Sequence, residues 1–281
     1  MTTRPVLLLT GGLGVVGGVL RPALRERHHL RIVDRIRTDP APAAEGPDEI
    51  RHGDLTDPEF ADEVTRGVSA VVHLAAVADP RSPWRRVADN VTVTDHLLRA
   101  AERHGVGRIV MAGSVHAAGL DHRDHPRRRA PVDPTDPPRP CCPYGGSKVA
   151  CESLGRLHSL RTGATVLTLR LGLTGWPLTE RDYNDMWLSD DDARAVFTRA
   201  LTAPVRHGIH FAVSRPGAAR WDLSTTRRDL GWTPRSELPA GAADLPWARE
   251  APCELFTPHP STTTPTDLTP TDPRTHETRN R

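Results

Sequence analysis

The sequence predicts an α/β protein: a doubly wound, open parallel sheet followed by a small C-terminal cap. Three observations carry this. Short apolar runs alternate with helix-period segments from Val6 to about Leu169, the pattern of strands covered on both faces by crossover helices. The first apolar run ends in a cluster of glycines. No apolar run reaches the ~18 residues that a membrane span requires.

The elements follow in order. Pro5-Val6-Leu7-Leu8-Leu9-Thr10 is a continuous apolar run, read as a first strand buried on both faces. Leu13 to Arg27 has helical spacing, and Leu30 to Asp34 reads as a second strand. A third strand should end near Asp54-Leu55. Glu59 to Gly67 suits a helix, with Asp57 as N-cap and Pro58 at its first position. Ala70 to Leu74 is a strand, and Val87 to His104 a long helix stopped by Gly105. Arg108 to Ala112 is a strand, Tyr144 to Arg161 a helix, and Thr165 to Arg170 a strand. Right-handed crossovers follow by default.

Two segments break the alternation. His116 to Pro143 is rich in Pro, Arg and Asp and reads as a long excursion with no core of its own, a kind of loop that is often functional. From Thr257 onward, 14 of 25 residues are Thr or Pro. Too little apolar surface is available there to offset the cost of ordering the chain. The expected division is a parallel-sheet core over 1–170, a small cap with returning elements over 171–250, and a disordered tail over 251–281.

Composition excludes several functions. The chain has 281 residues and a formal net charge of +2, with 37 Lys+Arg against 35 Asp+Glu. That balance gives no electrostatic case for nucleic acid. The four cysteines, at 141, 142, 151 and 253, match neither a disulfide framework nor the spacing of zinc ligands, so no metal is expected. A reducing cytoplasm is the plain reading. Among the 37 basic residues only Lys148 is a lysine. A lysine kept against such a bias is a lead, because the two cations differ chemically.

Thr10-Gly11-Gly12-Leu13-Gly14-Val15-Val16-Gly17 joins the first strand to the first helix. Gly11, Gly14 and Gly17 suit a tight turn, close approach of a pyrophosphate, and packing of helix on strand. Leu13 and Val15 belong to the same turn, whose helix N-terminus offers free N–H groups to phosphate. Asp34 ends the second strand twenty residues after Gly14. An acid there accepts from ribose hydroxyls and repels a 2′-phosphate, which favours NAD over NADP. Arg35 follows it and is a candidate for the opposite preference. Asp54 and Leu55 would meet the adenine. Leu74, Ala75 and Ala76 would let a cofactor pass closely, while His73 reads as a buried structural histidine.

Tyr144 and Lys148 stand at i and i+4, on one face of a helix. A free tyrosine is a poor base at neutral pH, but a nearby ammonium and a cationic nicotinamide both favour a phenolate. This is environment-tuned general-base chemistry. The pair uses the sole lysine and one of only two tyrosines. Ser114 lies just past the strand ending at Ala112, at the carboxyl end where ligands of parallel sheets bind. It could hold a substrate oxygen against Tyr144. Asn90, one of three asparagines, is a candidate support for Lys148 and, with Tyr144 and Lys148, a candidate cofactor contact, Lys148 being able to bond the nicotinamide ribose as well.

With the glycine pattern at 10–17, Asp34, Ser114 and Tyr144-x-x-x-Lys148, the chain resembles the extended short-chain dehydrogenase/reductases, the NAD-dependent epimerase/dehydratase family. The resemblance spans roughly residues 5 to 235. It implies a Rossmann fold, a Ser114-Tyr144-Lys148 catalytic set, and hydride transfer at a sugar carbon. Within the family the chain is most similar to the uronate dehydrogenases, on Trp84 with Asn90, Ser114-Val115-His116, the stretch from Tyr183 to Asp192, Arg220-Trp221-Asp222 and Leu230-Gly231-Trp232-Thr233-Pro234. That likeness implies oxidation of a hexuronic acid at C1 to a lactone with NAD. It also implies substrate contacts from Ser114, His116, Tyr144 and Arg181, whose guanidinium would hold a carboxylate. Val115 and Ala78 depart from that pattern, where polar residues are expected. The likeness further implies a homodimer or higher homo-oligomer through the two long helices.

Two alternatives stand beside a sugar or sugar-acid dehydrogenase. One is a nucleotide-sugar epimerase or dehydratase of the same family. Dehydratases carry an acid pair near the catalytic residues, whereas here Val115, His116 and Ala117 follow Ser114. The other is a non-catalytic NAD-binding protein, against which the complete Ser-Tyr-Lys set speaks.

Overall fold

The computed structural model describes residues 4–36, 48–119 and 131–248. Seven strands form one parallel sheet: β1 (Val6–Thr10), β2 (His29–Asp34), β3 (Glu49–His52), β4 (Ala70–His73), β5 (Arg108–Ser114), β6 (Thr165–Leu171) and β7 (His207–Ala212). Their order across the sheet is β3-β2-β1-β4-β5-β6-β7. The order reverses between β1 and β4, so a crevice opens at their carboxyl ends, where sheets of this kind bind ligands. This is the Rossmann-type α/β fold that the alternation predicts.

The helices are α1 (Val15–Arg25), α2 (Pro58–Thr65), α3 (Trp84–Val87), α4 (Asp89–Arg103), α5 (Pro143–Thr162), α6 (Asp190–Ala200) and α7 (Ser224–Leu230). Leu7, Leu9, Ile32, Val72 and Leu167 point to one face of the sheet and pack with Leu20 of α1 and Phe197 of α6. Leu8, Val33, Val71, Ile109 and Val166 point to the other and pack with Val64, Leu97 and Cys151 of α2, α4 and α5. Strand residues thus alternate between two cores, as a period of two requires.

Local signals set the ends. Asp57 caps α2 by accepting from the Glu59 amide at 2.9 Å, with Pro58 in the first turn. Helix α5 starts at Pro143 and stops at Gly163, which has φ +77°. Glu152 of α5 and Arg170 of β6 form a buried two-point ion pair with both N···O distances at 2.8 Å. The helix carrying Tyr144 and Lys148 is therefore tied to the sheet by charge as well as by packing.

The long helix expected over 87–104 is divided into α3 and α4, and it begins earlier, at Trp84 after Pro83. The excursion after His116 also differs from expectation over its described part. Val132 bonds to the Arg220 carbonyl at 2.8 Å, bridges Trp221, and is fully buried, as is Cys141. They join Val115, Met186, Phe211 and Trp221 in a third apolar cluster. The return arm has a core because the segment after β7 folds back over it. The expected tail, 251–281, lies outside the described residues, as does 120–130.

Candidate active site

A cleft of about 680 Å³ runs along the carboxyl ends of the strands. One end holds Asp34, Asp54 and Leu55, the middle Gly11, Gly14 and Val15, and the other end Ser114, Tyr144 and Lys148. Leu74, Ala75, Ala76, Asn90 and His116 also line it.

The glycine turn is built for close approach. Gly11 has φ +66°, and a Cβ there would lie 2.7 Å from the Ala75 amide nitrogen. Helix α1 starts directly after Gly14, whose N-cap position has no side-chain cap. Gly14, Val15 and Val16 at its start line the cleft, and an uncapped helix N-terminus is a ready site for phosphate. Leu13 and Gly17 do not line the cleft. The Leu13 amide donates to Asp34 at 3.0 Å, which fixes the carboxylate beside the turn. Gly17 packs under Gly12, where a side chain would collide with backbone. Asp34 also accepts from the Ile36 amide at 3.0 Å.

Arg35 turns toward Asp54 at 3.5 Å. Desolvation pushes the Asp54 carboxyl up, but hydrogen bonds from Thr56 and the Arg35 charge outweigh it and hold it below the usual range. An elongate cleft with an acid at one end, a glycine turn under its middle and a Tyr-Lys pair at the other fits NAD.

At the chemical end, Lys148 donates to the Ala112 carbonyl at 2.8 Å, and its ammonium lies 5.8 Å from the Tyr144 ring centroid. Both residues are buried, at 6% and 7% exposure. The ammonium and the tyrosine ring thus share one poorly solvated end of the cleft. Ser114, equally buried, accepts from the His116 amide at 3.2 Å. Its hydroxyl proton stays available for an oxygen in the cleft. The His116 ring meets Tyr144 edge to face, with centroids 5.8 Å apart.

Asn90 has a more definite role than sequence suggested. Its side chain pairs with the Val77 backbone at both N–H (2.7 Å) and C=O (3.2 Å), and donates to Ser147 at 3.1 Å. It clamps the loop after β4 to the helix bearing Tyr144 and Lys148. His73 is the structural residue expected. It bridges Thr10 at 2.7 Å and Thr94 at 3.1 Å. Burial, then the Lys148 charge, pushes its pKa down to about 3, so it stays neutral.

Arg181 is not brought to this group. It opens a 3-10 turn over Arg181–Met186, and its guanidinium lies 4.8 Å from the Trp247 ring centroid. Its amide bonds to the Pro246 carbonyl at 2.9 Å. Arg181 is not among the residues that line the cleft, and the segment around 246 meets both its backbone and its side chain, so this geometry lends the expected carboxylate contact no support. Residues from the same stretch that do line the cleft are Thr174, Trp176, Tyr183 and Met186. Thr174 is 4% exposed, with no hydrogen-bond partner for its hydroxyl among the described residues. Tyr183 carried a usable signal as the second of only two tyrosines. Thr174 carried none. Val115 and Ala78, the two departures from the uronate dehydrogenase pattern, both line the cleft.

Comparison with known proteins gives consistent results. The model of the NAD dependent epimerase/dehydratase family matches residues 7–174. A uronate dehydrogenase from Pseudomonas syringae pv. tomato is 32% identical over 217 residues, 77% of each chain. An NAD-dependent glucose-6-phosphate dehydrogenase from Haloferax volcanii is 29% identical over 83% of this chain and 93% of its own. A mutant uronate dehydrogenase from Agrobacterium tumefaciens, solved in complex with NAD, superposes with a TM-score of 0.76 at 26% identity. That match covers 95% of this chain and 92% of the other.

Proposed function

The chain belongs to the NAD dependent epimerase/dehydratase family, and on that premise we propose that it oxidises a sugar or sugar-acid hydroxyl and releases NADH. The carrying observation is the convergence of Ser114, Tyr144 and Lys148 on the cleft that also holds Gly11, Gly14 and Asp34. When bound, NAD supplies the hydride acceptor. Gly11, Gly14 and Val15, with the α1 N-terminus, hold its pyrophosphate. Asp34 takes the adenosine ribose, Asp54 and Leu55 the adenine end, and Leu74 to Ala76 the passage between. Lys148 holds the nicotinamide ribose.

Ser114 donates to the reacting oxygen and Tyr144 removes its proton. The Lys148 ammonium stabilises the phenolate while Tyr144 waits for that proton. Asn90 is a positioning residue, since it acts through Val77 and Ser147. Oxidation at C1 to a lactone is the reading favoured by the uronate dehydrogenase likeness. The apolar Val115 and Ala78 offer a sugar fewer hydrogen bonds, which weakens discrimination among hydroxyl patterns. An acidic or phosphorylated aldose therefore belongs in the same test as the uronates.

That test is a panel of uronates, aldoses, aldose phosphates and nucleotide sugars with NAD and NADP, read by NADH absorbance and product analysis. Net NADH with a free sugar or sugar acid is expected, and NADP should serve poorly. Isomerised nucleotide sugar without net NADH would establish the epimerase alternative instead.

The molecule is also proposed to pair with a second copy through α4 and α5. Leu157 and Leu160 of α5 are 56% and 76% exposed. Sedimentation should give a dimer for the parent chain and a monomer for Leu157→Glu/Leu160→Glu. A monomeric parent would refute the pairing.

A further inference from the structure

His116, Cys141 and Cys142 bring their ring nitrogen and two sulfurs within 4.8 Å of one another. The Nδ1 of His116 lies 3.1 Å from the Cys141 sulfur and 3.7 Å from the Cys142 sulfur, and the two sulfurs are 3.9 Å apart. We propose that these three side chains form a binding site for a thiophilic cation of the zinc(II) class at the wall of the active-site cleft.

The edges of the triangle carry the argument. Zinc bonds of about 2.3 Å to sulfur and about 2.0 Å to nitrogen, at tetrahedral angles, set S···S near ~3.8 Å and S···N near ~3.5 Å. The three observed separations straddle those values, so capture needs side-chain movements of a few tenths of an ångström. Cysteine spacing alone did not reveal the site because the third ligand comes from a different segment, the 3-10 turn Val115–Ala118 after β5. Three protein ligands leave the fourth position open; of the three residues His116 lines the cleft, while Cys141 is fully buried behind it. Binding releases the two thiol protons to solvent and forms two metal–thiolate bonds and one metal–imidazole bond.

Cys141 is fully buried in the third apolar cluster and Cys142 packs against it, but the second role of Cys142 is unusual for a cysteine. Cys142 caps α5 by accepting from the Gly145 amide through sulfur at 3.4 Å, a task for which Ser, Thr, Asp and Asn are preferred. The location has a consequence. The His116 ring lies against Tyr144, so a cation on its Nδ1 fixes the ring beside the proposed base. If the function proposed above holds, zinc inhibits turnover and a chelator restores it. The site itself does not depend on that reading.

The test uses the full chain, reduced and stripped of metal, titrated anaerobically with cobalt(II). One equivalent per chain should produce a sulfur-to-cobalt charge-transfer band with the visible bands of a tetrahedral ion, and zinc should bleach both. Cys142→Ser keeps a capping oxygen and should weaken binding by about tenfold or more, as should His116→Ala, a variant on a different element. Cys151→Ser should bind as the parent does. No thiolate band in the folded parent chain would overturn the proposal. So would a band that survives undiminished in Cys142→Ser and His116→Ala, or one lost in Cys151→Ser.

Discussion

An arginine at position 148 would keep the charge and lose the geometry. Lys148 sends one donor to the Ala112 carbonyl at 2.8 Å and holds its charge 5.8 Å from the Tyr144 ring centroid while 6% exposed. A planar guanidinium is larger and cannot share its donors in that way. Lys148→Arg should leave the fold intact and lower kcat/KM on the order of 10²-fold or more, checked by steady-state kinetics beside circular dichroism. This residue was legible because composition isolated it: 37 basic residues include a single lysine. Ser114 and Asp34 were legible from their places at strand ends. Arg181 was not, because its placement depends on Trp247 and Pro246, more than sixty residues away in sequence. Asn90 lay between. Its helix was foreseen, but its partners Val77 and Ser147 belong to two other segments.

Among elements, the stretch from Tyr183 to Asp192 shows how a family signature divides between site and scaffold. Tyr183 and Met186 line the cleft. Ser189 caps α6 by accepting from the Asp192 amide at 3.0 Å. Asp192 is 3% exposed and accepts from the Ser214 hydroxyl at 2.7 Å and from the amides of Arg235 and Ser236 at 2.9 and 3.0 Å. It joins α6, the exit of β7 and the segment before residue 240 at one buried carboxylate. Asp192→Ala strands the buried Ser214 hydroxyl and two partly buried amides, and urea titration should show a loss of about 1–3 kcal/mol. A loss below about 1 kcal/mol would mean that water replaces the carboxylate. Strands β1, β2, β4, β5 and β6 were readable from their apolar runs and α2 from its cap, whereas β3, Glu49-Ile50-Arg51-His52, has no apolar run and was placed only by its expected end near Asp54. Strand β7 was not readable, because His207, Gly208 and His210 break its apolar run. Its place was set by pairing with β6.

The whole molecule should be acid-labile in a defined window. Burial, then the Lys148 charge, pushes His73 down to about 3, and burial pushes His210 down to about 4. Both are neutral in the fold, while an unfolded chain takes up protons below about pH 6.5. The unfolded state therefore binds more protons as pH falls, and stability is full above that value and declines below it. Each histidine contributes a slope of about 1.4 kcal/mol per pH unit. Urea midpoints measured between pH 6.5 and 4.5 should fall steadily, and a flat profile would mean that these rings protonate in place. The same architecture that buries His73 under the crevice brings the acid, the glycine turn and the Ser-Tyr-Lys group into one cleft, and that convergence is the central claim. Tyr144→Phe tests it most directly, with NAD binding followed by calorimetry and NADH formation followed on the sugar that the parent chain oxidises. NAD affinity should be retained while NADH formation falls on the order of 10²–10⁴-fold; NADH formation at the parental rate would contradict the account.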